Sequence, residues 1–209
     1  MKILFQGDSI TDAFRRPEEE NTAFQLGNGY VFLLAARLAY DFPARDFRFI
    51  NRGVSGNDVR QLLARWEEDA LALRPDMLSL LNGINDTLKV MTQSPKAPLD
   101  DATFYATYRE LLNRLREANP AIRFVILEPY LLEAGPVTRE WLDHLRPRQA
   151  GVHEIAREYD ALFIPLQSLF DAALRKAPAA YWAYDGVHAT HAGFQLIADA
   201  WLRTVGPTL

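Results

Sequence analysis

The sequence predicts an α/β protein, a five-stranded parallel sheet held between two layers of helices. Three observations predict it. Short apolar runs alternate with longer amphipathic stretches along the chain. The runs are too short for helices and too apolar for strands with one wet face, so they read as strands covered on both sides. Most of them end in Gly, Pro, Asn or Asp, which stop a strand.

The first strand is KILFQ (2–6), followed by a helix over YVFLLAARLAYDF (30–42) and a second strand, FRFINR (47–52). DVRQLLARWEEDALAL (58–73) reads as the next helix and DMLSLLN (76–82) as the third strand. A helix over ATFYATYRELLNRLREAN (102–119) leads to the fourth strand, RFVILEP (123–129). TREWLDHLRPRQAGVHEIAREY (138–159) is helical in pattern, and Pro147 is expected to kink or split it. ALFIPL (161–166) is the fifth strand; helices over LQSLFDAALRK (166–176) and HAGFQLIADAWLRTV (191–205) follow. Crossovers in such a sheet are right-handed, and ligands bind beyond the carboxyl ends of its strands. No repeat, low-complexity tract or long linker divides the chain, which is expected to form one domain over 1–209. Two polar loops, RRPEEENTAFQLGNG (15–29) and TLKVMTQSPKAPLDD (87–101), are expected to shape a pocket.

Composition narrows the function. The 209 residues are 49% hydrophobic and 24% charged, enough for a sizeable core. The net charge of -4, with acids and bases interspersed, leaves no footprint for nucleic acid. Without cysteine there is no disulfide, thiolate catalysis or cysteine zinc site. The opening MKILF is too short for a signal-peptide core and no run reaches membrane-spanning length, so a cytoplasmic protein with no membrane partner is expected.

The chemistry sits where strands end. Gly7-Asp8-Ser9 follows the first strand, Gly53-Val54-Ser55-Gly56-Asn57 the second and Gly83-Ile84-Asn85-Asp86 the third, with Asp185-Gly186-Val187-His188 near the end of the chain. A parallel sheet can gather these loops at one edge. Their residue types suit acyl transfer. A serine hydroxyl is a weak nucleophile until an imidazole takes its proton, and His188 can do so for Ser9. Asp185, three residues earlier, can accept the other ring N–H and fix the tautomer. The N–H groups of Ser9 and Gly56 and the side-chain amide of Asn85 can face the oxyanion of a tetrahedral intermediate. At position 56 glycine would let the backbone come close to the reacting oxygen.

In these blocks the sequence resembles the SGNH hydrolases, or GDSL esterase/lipase family, whose four signature blocks match "GDSIT", "NRGVSGN", "LNGINDT" and "DGVHAT" in order. The resemblance implies a flavodoxin-like three-layer fold, Ser9 as nucleophile, Gly56 and Asn85 in the oxyanion hole with the Ser9 amide, Asp185 and His188 completing a triad, and no cofactor or metal. "GNGYV", "NRGVSGN…VRQLLARWEEDAL" and "GINDT" are similar to the acetyl-xylan esterases and related carbohydrate deacetylases. That subgroup implies an intracellular homo-oligomer acting on small-molecule or oligosaccharide esters. Two features depart from it: Gln6 stands where an apolar residue is usual, and "TLKVMTQ" lacks an expected tryptophan.

Other residues have plainer readings. Ser9 alone could cap a turn. Ser55 is the rival serine, but "GVSGN" is not a G-x-S-x-G elbow. Asp8 and Asp86 read as loop braces and Gly53 as relief from crowding. His144 and His153 fall in a charged helix, and "HEIAR" lacks the second histidine of H-E-x-x-H. His188, His191 and Asp185 offer three metal-type ligands in one segment, although acyl transfer needs no ion and His191 also suits a helix terminus. Trp66, Trp141 and Trp201 read as core or subunit contacts. Trp182 and Tyr184, just before Asp185, are candidates for an aromatic wall against substrate or for packing. Arg15 and Arg16 read as a solvated pair or as contacts to substrate or a neighbouring subunit, and the run PEEE (17–20) as a solvated loop.

The expected activity is hydrolysis of short acyl esters, acetyl above all, on carbohydrates. A lysophospholipase or acyl-thioesterase with the same triad would need a long apolar groove, for which Phe24, Leu26, Leu88, Val90 and Met91 are the candidates. A non-catalytic carbohydrate-binding protein would be expected to lack a triad member.

Overall fold

A computed structural model describes residues 1–19, 22–94 and 99–209. Residues 20–21 and 95–98, inside the two expected pocket loops and at the end of the PEEE run, lie outside the described residues. Five strands, β1 (Lys2–Gly7), β2 (Arg48–Asn51), β3 (Met77–Leu81), β4 (Arg123–Leu127) and β5 (Leu162–Ile164), form one sheet. Their order is β2-β1-β3-β4-β5 and every neighbouring pair is parallel. The chain steps outward from β1 to β2, then crosses back to lay β3, β4 and β5 on the other side of β1. That reversal opens a crevice at the carboxyl ends of β1 and β3, the place where α/β sheets hold ligands.

The helices are α1 (Ser9–Asp12), α2 (Tyr30–Asp41), α3 (Val59–Ala64), α4 (Ile84–Met91), α5 (Asp101–Ala118), α6 (Arg139–Glu158), α7 (Leu166–Ala173), α8 (Ala179–Trp182) and α9 (His191–Val205). Strand side chains alternate between two cores. Ile3, Phe5, Val125 and Leu127 meet Leu34 and Leu38 of α2, Phe170 of α7 and Ile197 and Trp201 of α9. Leu4, Leu78, Phe124 and Ile126 meet Leu62 of α3, Leu111 of α5 and Ile155 of α6. Burying such a side chain contributes about 1.5–3 kcal/mol, whereas a helix cap gives about 1 kcal/mol, so the two cores hold the layers together. Trp66 and Trp201 are core residues: their indole N–H groups donate to the Leu111 carbonyl (2.9 Å) and the Ser79 hydroxyl (3.1 Å). Trp141 is partly buried against the first core. Among the described residues no helix is long and apolar enough to cross a membrane.

Three expectations need correction. The stretch 58–73 is not one helix. The Asp58–Gln61 capping box starts α3, which ends at Ala64, and a π-turn over Glu67–Leu71 follows, with the Ala72 N–H donating to the Glu67 carbonyl five residues back. The 87–101 loop begins as the second half of α4, in which Thr87 is fully buried. Pro147 does not split α6, which runs for 20 residues through it. Leu145, Arg148, Val152 and Ile155 are buried on both sides of the proline, and this packing outweighs the one hydrogen bond that proline removes.

Candidate active site

Ser9 opens α1 at the carboxyl end of β1. The turn is set by Asp8, whose Oδ1 accepts the Ile10 N–H (3.1 Å) and caps the helix. Gly7 permits the sharp exit, because a Cβ there would stand 2.2 Å from the Leu81 carbonyl oxygen and 2.5 Å from Thr11 Oγ1. Ser9 Oγ lies 2.9 Å from His188 Nε2, although 179 residues separate them in sequence. His188 Nδ1 lies 2.7 Å from Asp185 Oδ2. A ring protonated on Nδ1 donates to Asp185 and leaves Nε2 to accept the hydroxyl proton.

Asp185 and His188 face the same side because the chain folds back on the aspartate. Asp185 Oδ1 accepts the N–H groups of Val187 (3.0 Å) and His188 (2.7 Å), an Asx-turn. The Leu132 N–H donates to the Gly186 carbonyl (2.9 Å), tying this loop to the segment after β4. Burial alone would raise the Asp185 carboxyl, but hydrogen bonds from the His188 ring and these two amides outweigh it and hold the carboxyl below its ordinary range. Asp8 behaves oppositely: fully buried, it is pushed up to about 7. Asp86, in the first turn of α4, is likewise pushed up to about 7, by burial and then by Asp58.

The structure brings the other expected residues to the same edge. Gly56 is exposed with φ +80 in the turn after β2, and a Cβ there would touch nothing within 4 Å. That backbone conformation favours glycine. Asn85 lies in the first turn of α4, with Nδ2 donating to the Asn57 carbonyl (3.1 Å). Among the described residues no hydrogen bond within the fold claims the N–H of Ser9 or of Gly56. Gly53 fills the expected role, since a Cβ there would lie 2.3 Å from the Asp12 nitrogen. Ser55 belongs to the turn, its N–H donating to Asp12 Oδ2 (3.3 Å).

Ser9 and His188 open into a cavity of about 130 Å³ lined by Ile10, Ala13, Phe14, Tyr184, Ala189 and Phe194, among others. None of the described residues of 15–29 or 87–101 lines it, Phe24, Leu26, Leu88, Val90 and Met91 included. A larger groove of about 650 Å³, beside α2 and α9, contains none of the site residues. Tyr184 stacks on the His188 ring (5.8 Å between centroids, 17° between planes). Trp182 is elsewhere: its Nε1 donates to the Ala177 carbonyl (3.2 Å) and its ring lines a separate groove with Leu169, Ala192 and Leu196. The chain leaves α8 between these two aromatics and enters the Ala183–Ala189 bridge, which sends them to different surfaces.

Arg15 donates from Nε to the Gly53 carbonyl (2.7 Å) and braces the turn, while Arg16 pairs with Glu19 and covers the Phe24 ring. His191 is exposed at the start of α9, His153 stacks on Phe163, and His144 touches Arg148. Among the described residues no three His, Asp or Glu side chains gather where they could hold a metal. Phe14 and Phe194 were missing from the sequence reading. Phe194 carries only a helical-core signature, and Phe14 is 85% exposed with φ +59, a backbone state no local pattern announces.

A serine, an imidazole and a carboxylate lie in a hydrogen-bonded line at the switch point of a parallel sheet, an arrangement that suits acyl transfer. The chain belongs to the GDSL-like lipase/acylhydrolase family, whose model matches residues 5–196. It is 37% identical to an acetylxylan esterase from Geobacillus stearothermophilus over 98% of this chain and 94% of that one. The crystal structure of Axe2, an acetylxylan esterase from the same organism, superposes with a TM-score of 0.89 at 33% identity, covering 98% of this chain and 94% of its own. A GDSL-like lipase from Parabacteroides merdae superposes with a TM-score of 0.93 at 38% identity, covering 98% and 95%. The chain is a carboxylic ester hydrolase of the SGNH type, with the three-layer fold that goes with it.

Proposed function

We propose that the enzyme removes short acyl groups, acetyl foremost, from carbohydrate hydroxyls through a Ser9–His188–Asp185 triad. The observation that carries this reading is the hydrogen-bonded line from Ser9 Oγ to His188 (2.9 Å) and on to Asp185 (2.7 Å), opening into a small apolar cavity. Ser9 attacks the ester carbonyl while His188 takes its proton. The oxyanion of the tetrahedral intermediate is met by the N–H groups of Ser9 and Gly56 and the amide of Asn85. His188 returns the proton to the departing sugar oxygen, leaving an acyl-enzyme. Water, deprotonated by the same ring, then releases the acid. The imidazolium formed in each half is stabilised by Asp185, whose lowered pKa keeps it charged at neutral pH.

The acetyl preference is supported by the cavity. At about 130 Å³, walled by Ile10, Ala13 and Phe194, it has the size for a methyl or ethyl group beside the carbonyl. The carbohydrate half is supported by the acetylxylan esterase relatives and by Tyr184, exposed beside His188 where the leaving alcohol would stand. Tyr184 is therefore kept as a substrate contact; Trp182, in its separate groove, is not. Cytoplasmic residence and assembly as a homo-oligomer belong to the same reading, supported by the resemblance to the deacetylase subgroup.

Nitrophenyl esters of increasing chain length test the acyl assignment. The expected result is that kcat/KM is highest for acetate or propionate and falls about 100-fold by octanoate. In an open apolar groove each added CH₂ would contribute about 0.8 kcal/mol of binding. A kcat/KM that rises through octanoate would replace this reading with the lysophospholipase or thioesterase one.

A further inference from the structure

Arg65 lies in the break between α3 and the π-turn, with a side chain only 17% exposed. Its guanidinium reaches four acceptors. Nε donates to Asn57 Oδ1 (2.8 Å), Nη1 to the Arg52 carbonyl (2.8 Å) and to Asp69 Oδ2 (2.8 Å), and Nη2 to the Gly7 carbonyl (3.3 Å). Gly7 is two residues before Ser9. Arg52 and Asn57 bracket the turn that carries Gly56. The Asn57 carbonyl accepts in turn from Asn85 Nδ2 and Asn82 Nδ2, both at 3.1 Å. Every group assigned to the oxyanion hole is thus one or two links from a single planar side chain.

Asp69 stands four residues after Arg65 on the same helical face and meets it with its carboxylate at 2.8 Å, with Arg52 Nε also 3.4 Å away. The Asp69 carbonyl accepts the Gln6 side-chain amide (2.7 Å). Gln6, the buried polar residue where the family is usually apolar, therefore anchors the turn to β1. Single π-turns often occur where a site needs one residue repositioned.

We propose that Arg65, held by Asp69, is a positioning residue that locks the Gly7, Gly56–Asn57 and Asn85 segments so that their donors converge on one oxyanion. This rests on the triad and oxyanion-hole reading above. The rigid fork of arginine is needed because its acceptors lie around one plane; a lysine ammonium is a point charge and cannot span them. If the donors drift by about 1 Å, turnover falls about 100-fold while binding of the ester in its ground state changes little.

The test compares wild type with Arg65→Met, Arg65→Lys and Asp69→Asn on an aryl acetate, and measures inhibition by methylboronic acid. The boron bonds to Ser9 Oγ, the serine proton passes to His188, and the resulting tetrahedral boronate, negatively charged as a whole, places one of its hydroxyl oxygens in the hole. Arg65→Met is expected to lower kcat about 100-fold with KM within about 3-fold, and to weaken the boronate in parallel with kcat/KM. Arg65→Lys should recover only part of this. Asp69→Asn, which keeps the shape and loosens the arginine, should lose about 10-fold and serves if Arg65→Met does not fold. Val152→Ala, on the buried face of α6, should lower the melting temperature and leave kcat of the folded enzyme unchanged. Variants that melt earlier but keep wild-type kcat and boronate affinity would overturn the positioning role alone. A wild type inert to both reagents would instead overturn the underlying reading.

Discussion

Replacing Ser9 by alanine is expected to lower ester turnover about 10⁶-fold, the scale on which a serine hydrolase loses rate when its nucleophile is removed. The fold should not notice. Among the described residues the Ser9 hydroxyl makes its hydrogen bond only with His188, the residue is partly exposed, and the cap of α1 is supplied by Asp8, not by Ser9. No buried partner is orphaned, so stability should stay within about 0.5 kcal/mol of wild type, read from urea unfolding alongside the rate. Rate and stability must separate in this way for the loss to be chemical. Turnover near the wild-type value in folded Ser9→Ala would remove the nucleophile from the account.

The second large effect is expected for Asp185→Asn, about 10⁴-fold in kcat. Asparagine can keep the Asx-turn, since its carbonyl oxygen can still accept the N–H groups of Val187 and His188, as Oδ1 does now. What changes is the atom facing His188 Nδ1. An amide NH₂ donates there, so the ring proton moves to Nε2 and points at Ser9, where an acceptor is needed. The variant also loses the charge that stabilises imidazolium. The lowered carboxyl has a further consequence. It contributes stability above the unfolded carboxyl's pKa, near 4, and this is lost as pH falls through the lower folded value. The stability difference between wild type and Asp185→Asn should therefore shrink on acidification below about pH 4. Unchanged turnover in Asp185→Asn would transfer the acid's role to another residue.

The central strands β1, β3 and β4 were legible because they are buried on both faces, which leaves continuous apolar runs such as ILF and FVIL. The edge strands β2 and β5 are only partly buried and were read from their length and their alternation with helical stretches. The four polar blocks were legible because a parallel sheet puts every strand's carboxyl end on one edge. The rest depended on contacts that local pattern does not encode. The helix over Ile84–Met91 has two turns, starts at a glycine and reads as loop. The break at Arg65 is invisible in an amphipathic stretch whose apolar residues continue past it, and its partners outside that stretch come from the end of β1 and the turn after β2. Trp182 and Tyr184 are two residues apart and equally aromatic, and only the end of α8 between them decides which one meets the site. Pro147 shows the converse: the helix break it offers is overruled by packing on both sides of it.

The central claim is that His188 activates one hydroxyl among all those in the chain. Incubation with a fluorophosphonate, followed by intact mass and peptide mapping, tests it most directly, since phosphonylation requires an activated nucleophile. One adduct per chain is expected, on the peptide containing Ser9, and it should disappear in His188→Ala. An unlabelled protein, or an adduct on Ser55, would contradict the claim.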